Sequence, residues 1–173
     1  RSQKLARENQ LNYDVSEITV APGAKQAIYN ALLAIINPED EVIIVTPYWP
    51  SYNDMIKLVG GKVKKIQTDI EHHFKITPHQ LDKAISAQTK MLIFNSPCNP
   101  SGAVYSQEEL KALGKVLLKH PEVCVLSDDV YERIHLKETE PAPHLLTSEP
   151  RLKKRTIVIN SLSKTYAMTG WRL

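Results

Sequence analysis

A lysine flanked by hydroxyl side chains lies near the C-terminal end of the sequence, directly after a short apolar run. The segment SLSKTYAMTGWR places Ser161, Ser163 and Arg172 around Lys164. A lysine at the end of a buried strand loses part of its hydration, which favours the neutral, nucleophilic amine. Two hydroxyls and a guanidinium are suited to bind a phosphate beside it. The combination indicates a Schiff-base enzyme that uses pyridoxal phosphate (PLP); a surface lysine in a polar loop is the alternative.

An acidic pair follows another apolar run and supplies a second reactive group. Asp128 lies just past the run 123–126, and Tyr131 follows three residues later. A buried carboxylate beside a pyridine nitrogen keeps that nitrogen protonated, which makes the ring an electron sink. Asp129 is a competing candidate, but its neighbouring position in an extended segment directs it elsewhere. In the structural alternative, Asp128 is a helix N-cap and Tyr131 a packing residue.

Three further segments carry groups that would suit a flat, phosphorylated ligand. The turn 22–26 (PGAKQ) opens a helix, where backbone amides and the helix dipole favour an anion. Trp49 lies between two prolines and is placed to stack on a heteroaromatic ring, although core packing is its alternative. The loop 95–102 contains two prolines and a terminal glycine, which can aim the Asn99 amide at a ligand oxygen.

The remaining pattern predicts the elements that position these groups. Apolar runs alternate with amphipathic stretches, as expected for strands joined by helices in a mainly parallel sheet. We predict the tail of a helix at 3–13, strands at 18–20, 41–45, 62–67, 90–94, 123–126 and 156–159, helices at 24–36, 51–59, 77–87 and 106–119, and a polar loop at 137–150. Ligands gather at the carboxyl ends of strands in such sheets. We therefore expect the five segments to converge on one pocket.

Composition excludes several other classes of protein. With 173 residues and 42% hydrophobic content, the chain can bury the core of one domain. No apolar run approaches the roughly 20 residues that cross a membrane. Two cysteines fit a reducing cytoplasm better than a disulfide framework. The net charge of +3 and two short basic runs favour solvated loops over a nucleic-acid surface, and no histidine cluster has metal-ligand spacing.

Five ordered segments resemble the PLP-binding large domain of fold-type I aminotransferases, the aspartate aminotransferase-like class I/II group. They are PGAKQAI, TPYWPSY, NSPCNPSGAVY, SDDVYERI and SLSKTYAMTGWR, and the resemblance runs over essentially the whole chain. It implies a three-layer α/β/α fold and a cytoplasmic enzyme that is a homodimer at full length. We expect residues 1–173 to be the large domain of such a protein, without its N-terminal arm and C-terminal small domain.

The resemblance also implies a role for each site residue. Lys164 is implied to form the Schiff base with PLP, Asp128 to pair with the pyridinium nitrogen, and Tyr131 to contact the ring hydroxyl oxygen. Trp49 is implied to stack on the ring, and Asn99 to contact both the ring oxygen and the substrate carboxylate. The phosphate is implied to lie among Gly23, Ala24, Lys25, Ser161, Ser163 and Arg172.

The sequence departs from the family pattern at two positions. Lys25 occupies a position where many members have a hydroxyl residue, and Ser101 one where threonine is usual. The family's small domain supplies an arginine for the substrate carboxylate and its partner subunit a tyrosine, so this segment alone lacks two active-site groups.

The function implied by the resemblance is transfer of an amino group between an amino acid, aspartate or a similar one, and a 2-oxo acid. No nucleic acid or membrane is expected as a partner. Two alternatives remain: another fold-type I PLP enzyme, either a lyase or a decarboxylase, and the aminotransferase-like sensor domain of a transcription regulator.

Overall fold

A parallel β-sheet forms the centre of the chain in a computed structural model that describes residues 2–135 and 140–173. Its five strands lie in the order β2-β1-β3-β4-β5, and every neighbouring pair is parallel. The strands are β1 (Glu41–Val45), β2 (Lys62–Ile66), β3 (Thr89–Asn95), β4 (Cys124–Asp128) and β5 (Thr156–Ile159). The sheet confirms the predicted α/β class, and the bounds of its strands lie close to the predicted ones.

Helices connect the strands and cover both faces of the sheet. They are α1 (Ser2–Asn9), α2 (Ala24–Ile35), α3 (Ser51–Leu58), α4 (Pro78–Ala84), α5 (Gln107–Leu118), α6 (Leu145–Ser148) and α7 (Leu162–Thr165). Thr77 and Ser106 begin α4 and α5 as predicted, each accepting a hydrogen bond from the amide three residues later in a capping box. Within the described ranges, no helix is long and apolar enough to cross a membrane.

Two apolar clusters, one on each face of the sheet, hold three layers together. Side chains alternate along a strand, so Ile43 of β1 belongs to one cluster while Val42 and Ile44 belong to the other. The first cluster contains residues of α4 and α5, and the second contains residues of α2 and α3. The resulting α/β/α order is the predicted arrangement.

The strand register brings the chemically active segments to one edge of the sheet. Asn95 at the end of β3 pairs with Asp128 at the end of β4, and Asp128 pairs with Ile159 at the end of β5. The chain runs outward in opposite directions from β1 and β3, which is the position where open α/β sheets bind ligands. The segments that follow β3, β4 and β5 are therefore neighbours.

The predicted strand at 18–20 is wrong. Ile18 has an extended backbone, with φ −115° and ψ 120°, but the segment belongs to no strand of the described sheet. Val20 is 68% exposed. Apolar, β-branched composition predicted the strand, but a strand also needs a hydrogen-bonding neighbour, and the described residues provide none for this segment.

Other boundaries differ by a few residues. α1 ends at Asn9, before the predicted residue 13, because Gln10 has a φ of +56° that a helix does not accommodate. α4 ends at Ala84, before the predicted residue 87, because Ile85 is extended. The predicted loop 137–150 contains α6, and its first three residues lie outside the described ranges.

Candidate active site

One cavity at the carboxyl edge of the sheet brings most of the predicted site residues together. Its lining consists of Ala24, Lys25, Ile28, Trp49, Asn99, Asp128, Val130, Tyr131, Ser161, Ser163, Lys164, Thr169 and Arg172. Gly23 is outside this lining because it packs against the Arg172 guanidinium. All five segments predicted to converge therefore contribute to a single cavity.

The start of α2 and Arg172 form a positively charged part of the lining. Gly23 has a φ of +91°, a backbone conformation that favours glycine, and a Cβ added there would displace the Arg172 guanidinium, whose Nη2 would lie 2.4 Å away. The amides of Ala24 and Lys25 come next, at the end of a helix where N–H groups have no intrahelical acceptor. Nη2 of Arg172 donates to the Pro22 carbonyl at 3.4 Å, which holds the guanidinium beside these amides. The arrangement suits an anion.

Two buried serine hydroxyls add further donors to the lining. Ser161 and Ser163 are 2% and 9% exposed. Oγ of Ser161 accepts the Ser163 N–H at 3.1 Å, which caps α7, donates to the Leu173 carbonyl at 2.7 Å, and lies within hydrogen-bond distance of Oγ of Ser163 at 3.0 Å. We call the Ala24 and Lys25 amides, the two hydroxyls and the Arg172 guanidinium the candidate anion site.

Asp128 presents a buried carboxylate to the cavity. Asp128 is 3% exposed. Burial raises the pKa of its carboxyl to about 6, although hydrogen bonds from Tyr52 and from the Val130 N–H lower the pKa in part. Oδ2 accepts the Tyr52 hydroxyl at 2.5 Å, and Oδ1 accepts the Val130 N–H at 3.3 Å. A carboxylate that is this poorly solvated gains strongly from a cationic partner.

Tyr52 is a functional candidate that the sequence reasoning missed. It lies on α3, is 3% exposed, and packs edge-on against Trp49 with 5.4 Å between ring centroids. Burial, and then the charge of Asp128, raise the Tyr52 pKa well above its ordinary value, so the hydroxyl stays a donor. The available signal was the position of Tyr52 at the start of the predicted helix 51–59, three residues after Trp49.

Asp129 faces away from the cavity. Its Oδ2 accepts from Nε2 of His144 at 2.8 Å, and its Oδ1 accepts the Ser127 hydroxyl at 3.0 Å. Burial lowers the pKa of His144, but the charge and hydrogen bond of Asp129 outweigh burial and leave that pKa raised. Adjacent aspartates therefore have different surroundings, one with an ion-pair partner and one directed at the cavity.

Lys164 lies on α7, with Nζ 5.8 Å from the ring centroid of Tyr131. The sequence pattern predicted a partly desolvated amine, and this is wrong for the described chain, in which the residue is exposed. The cause is the surface position of α7 and the segment after it, where Tyr166 and Trp171 are 53% and 75% exposed. The amine nevertheless lines the same cavity as Asp128.

The loop after β3 places Asn99 beside Tyr131. Nδ2 of Asn99 donates to the Tyr131 hydroxyl at 3.4 Å. The Asn99 N–H donates to Oδ1 of Asn95 at 2.8 Å, and Nδ2 of Asn95 donates to the Asp128 carbonyl at 2.7 Å. Asn95 thus ties this loop to the end of β4. It thereby fixes the positions of Asn99 and Tyr131, two predicted ligand contacts, relative to the Asp128 carboxylate.

A second amine in the cavity is held by an aromatic ring. Nζ of Lys25 lies 4.9 Å from the centroid of the Trp49 ring, within the range of a cation–π contact. The same lysine contributes its amide to the candidate anion site, so backbone and side chain serve two different parts of the lining.

Comparison with known proteins gives concordant matches. The family model for aminotransferase class I and II matches residues 2–173. An aspartate/prephenate aminotransferase from Nitrosomonas europaea is 51% identical over 170 residues, which make up 98% of this chain and 43% of that protein. The crystal structure of the aspartate aminotransferase from Rhizobium meliloti has a TM-score of 0.95 and 47% identity, covering 99% of this chain and 42% of that one.

A further crystal structure shows how widely the fold is shared. The aromatic aminotransferase from Pyrococcus horikoshii has a TM-score of 0.91 and 37% identity, covering 99% of this chain and 45% of that one. The chain therefore spans less than half the length of these relatives. Because the family model covers residues 2–173 and the fold agrees with it, the chain belongs to the aminotransferase class I and II family.

Proposed function

We propose that the whole protein is a PLP-dependent aminotransferase and that residues 1–173 form its cofactor-binding large domain. The observation that carries this proposal is one cavity lined by an amine, Lys164, by a buried carboxylate, Asp128, and by the candidate anion site. These are the three groups that a phosphorylated pyridine aldehyde requires of a protein.

The donor set of this cavity fits PLP. The candidate anion site offers amides, hydroxyls and a guanidinium, the donors that phosphate oxygens accept. Oδ1 of Asp128 receives one long bond, from the Val130 N–H at 3.3 Å, and so retains capacity for a cationic ring N–H. Trp49 supplies a flat apolar wall, and the apolar side chains of Ile28 and Val130 complete the lining on which a ring can pack.

When bound, PLP supplies an aldehyde that bonds covalently to an amine and a pyridinium ring that takes up electrons. Nζ of Lys164 is the nucleophile for that bond and, once displaced by an incoming amine, the base that removes a proton from the substrate Cα. The negative charge of Asp128 keeps the ring nitrogen protonated, and pairing with it relieves the cost of a buried carboxylate. Tyr131, which Asn99 contacts, donates to the ring oxygen.

The cofactor assignment has a direct test in the whole protein. Added PLP is expected to be fixed to Lys164 by borohydride reduction, as located by peptide mass spectrometry. In a separate, unreduced sample without an amino acceptor, excess aspartate is expected to yield about one equivalent of 2-oxo acid per site and no ammonia. Continuous release of ammonia, or conversion of aspartate to an amine that has lost one carboxyl group, would contradict transamination and favour lyase or decarboxylase chemistry.

For the substrate class we propose an acidic amino acid, aspartate or one similar to it. Lys25 supports this, because the residue lines the cavity and its ammonium lies over Trp49, another lining residue, where it can pair with a second carboxylate. Relatives named for aspartate and for prephenate agree with an anionic substrate class. Other substrate-binding groups, and the proposed dimer partner, belong to the whole protein.

Lys25→Met is expected to lower kcat/KM for aspartate by roughly 10- to 100-fold, the range for losing a charge-assisted hydrogen bond. The kcat/KM for alanine is expected to change less than about threefold, since alanine has no second carboxylate. Lys65→Met is the matched control, because Nζ of Lys65 also lies over an aromatic ring, Tyr48, at 5.3 Å but outside the cavity. Equal losses for aspartate and alanine would contradict the assignment of Lys25 to substrate recognition.

A further inference from the structure

A buried carboxylate outside the cavity links three parts of the chain. Oε1 of Glu132 accepts hydrogen bonds from Nζ of Lys4 and from Nδ2 of Asn160, the latter at 2.7 Å. Its Oε2 accepts from Nδ2 of Asn9 at 2.8 Å. Lys4 and Asn9 lie on α1, Asn160 directly follows β5, and Glu132 lies in the turn after β4. We call these four residues the Glu132 cluster.

The cluster is desolvated and internally satisfied. The side chains of Lys4 and Glu132 are 14% and 5% exposed, and Asn9 is 5% exposed as a residue. Nζ of Lys4 also donates to Oδ1 of Asn9 at 2.8 Å. Separating the two partners of a buried charge pair leaves each charge uncompensated, which costs free energy. The cluster therefore strongly favours the one geometry in which Lys4 and Glu132 stay paired. It can therefore fix the position of the groups to which it is bonded.

Asn160 carries this constraint into the candidate anion site. While its Nδ2 donates to Glu132, its Oδ1 accepts the Ser161 N–H at 2.7 Å. Ser161 in turn caps α7, and its Oγ, which donates to the Leu173 carbonyl at 2.7 Å, is hydrogen-bonded to the Ser163 hydroxyl at 3.0 Å. A continuous chain of hydrogen bonds thus runs from α1, through Glu132 and Asn160, to both serine hydroxyls of the anion site.

We propose that Glu132 is a positioning residue for the anion site, through which α1 controls how tightly the cofactor phosphate is held. This inference rests on the proposed function, because the anion is taken to be the PLP phosphate. Glu132 orients Asn160, Asn160 orients Ser161, and Ser161 orients Ser163. Loss of the carboxylate therefore weakens contacts to the phosphate and leaves bond formation between Lys164 and an aldehyde largely unchanged.

Comparing the affinities for two ligands, one with and one without a phosphate, distinguishes a positioning role of Glu132 from a general contribution to stability. The whole protein, stripped of cofactor, is titrated with PLP and with pyridoxal, which has the same aldehyde and ring but no phosphate, and binding is followed by absorbance. In Glu132→Gln, the dissociation constant for PLP is expected to rise about tenfold or more, as for a lost hydrogen bond to a charged group. The constant for pyridoxal is expected to change less than about twofold.

Two other variants complete the test. Asn160→Ala leaves Glu132 bonded to α1 and removes only the link between Glu132 and Ser161. It is expected to show the same selective loss of PLP affinity, and it provides the test if Glu132→Gln does not fold. Glu8→Gln is the matched control, since Glu8 joins α1 to Arg133 of the same turn at 2.8 Å, does not contact Asn160, and reaches the cluster only through a long ion pair with Lys4 at 3.8 Å. Its ratio of PLP to pyridoxal affinity is expected to stay within about twofold of wild type.

The possible outcomes test the positioning role of Glu132 separately from the proposed aminotransferase function. Selective loss of PLP affinity in Glu132→Gln or Asn160→Ala supports the positioning role. An unchanged ratio of affinities in folded variants, with only a lower unfolding temperature, overturns that role and leaves the aminotransferase proposal intact. A wild-type protein that does not bind PLP overturns both.

Discussion

A Lys164→Ala variant of the whole protein is expected to bind PLP without covalent attachment and to lose at least about 10⁴-fold in kcat for transamination. A general base alone contributes roughly 10²- to 10⁴-fold, and this residue is proposed to act as nucleophile as well. Two lysines line the cavity, and their positions separate their roles: Nζ of Lys164 lies over Tyr131, which follows Asp128 by three residues, whereas Nζ of Lys25 lies over Trp49.

The measurement combines borohydride labelling with steady-state kinetics. Lys57→Ala is a suitable control, because Lys57 lies at the exposed end of α3 and is outside the cavity lining. Covalent labelling of a different lysine in Lys164→Ala, with turnover near that of wild type, would show that the reactive amine has been assigned to the wrong residue.

Asp128→Asn is expected to lower kcat by roughly 10²- to 10³-fold or more, and at the same time to stabilise the protein without cofactor. Activity falls because an amide cannot supply the charge that keeps the ring nitrogen protonated. Stability rises because the native protein buries an unpaired carboxylate, which an isosteric amide replaces without charge while still accepting from the Tyr52 hydroxyl.

The stability effect has a defined pH window. Burial raises the Asp128 pKa in the folded state from 3.8 to about 6. Below about pH 4 the Asp128 carboxyl is protonated in both the folded and the unfolded state, so its titration does not change the free energy of unfolding. As pH rises through about 6, the native state must release a proton that it holds more tightly than the unfolded state does, so stability is lost. Above that pH the loss is about 3 kcal/mol, at 1.36 kcal/mol per pKa unit.

Urea denaturation of the cofactor-free protein at pH 4 and pH 8 measures this difference. Asp128→Asn is expected to exceed wild type by about 3 kcal/mol at pH 8 and to approach it at pH 4. Asp129→Asn is the control with the opposite sign, because it removes the partner of His144 and is expected to destabilise the protein. A stability gain for Asp128→Asn that is equal at both pH values would contradict a charge-based origin.

Local sequence patterns predicted the scaffold because its signals are local. β1 and β5 each consist of one polar residue followed by an apolar run, and their bounds agree with the sequence pattern. The capping residues Thr77 and Ser106 mark helix starts by their own chemistry. Convergence of the four segments that follow β1, β3, β4 and β5 is explained by the rule that parallel strands present their carboxyl ends at one edge. The segment 22–26 joins them although no strand of the described sheet precedes it. The family match covers the same segments.

Contacts that depend on tertiary placement were outside the reach of these patterns. The Tyr52 hydroxyl meets Asp128 across 76 residues of sequence, and Lys4 meets Glu132 across 128. Nothing near either residue marks its partner, and periodicity assigns a tyrosine at position 52 simply to the core. The predicted desolvation of Lys164 failed for a similar reason, because exposure depends on what packs over α7.

The meeting of Gly23 and Arg172 has a consequence for the order in which the molecule can mature. The two residues are in contact although almost the whole chain separates them, and both flank the amides that begin α2. A nascent chain lacks the guanidinium until residue 172 has been made, which is after all five strands of the sheet have been synthesised. The candidate anion site is therefore completed only after the sheet that positions it.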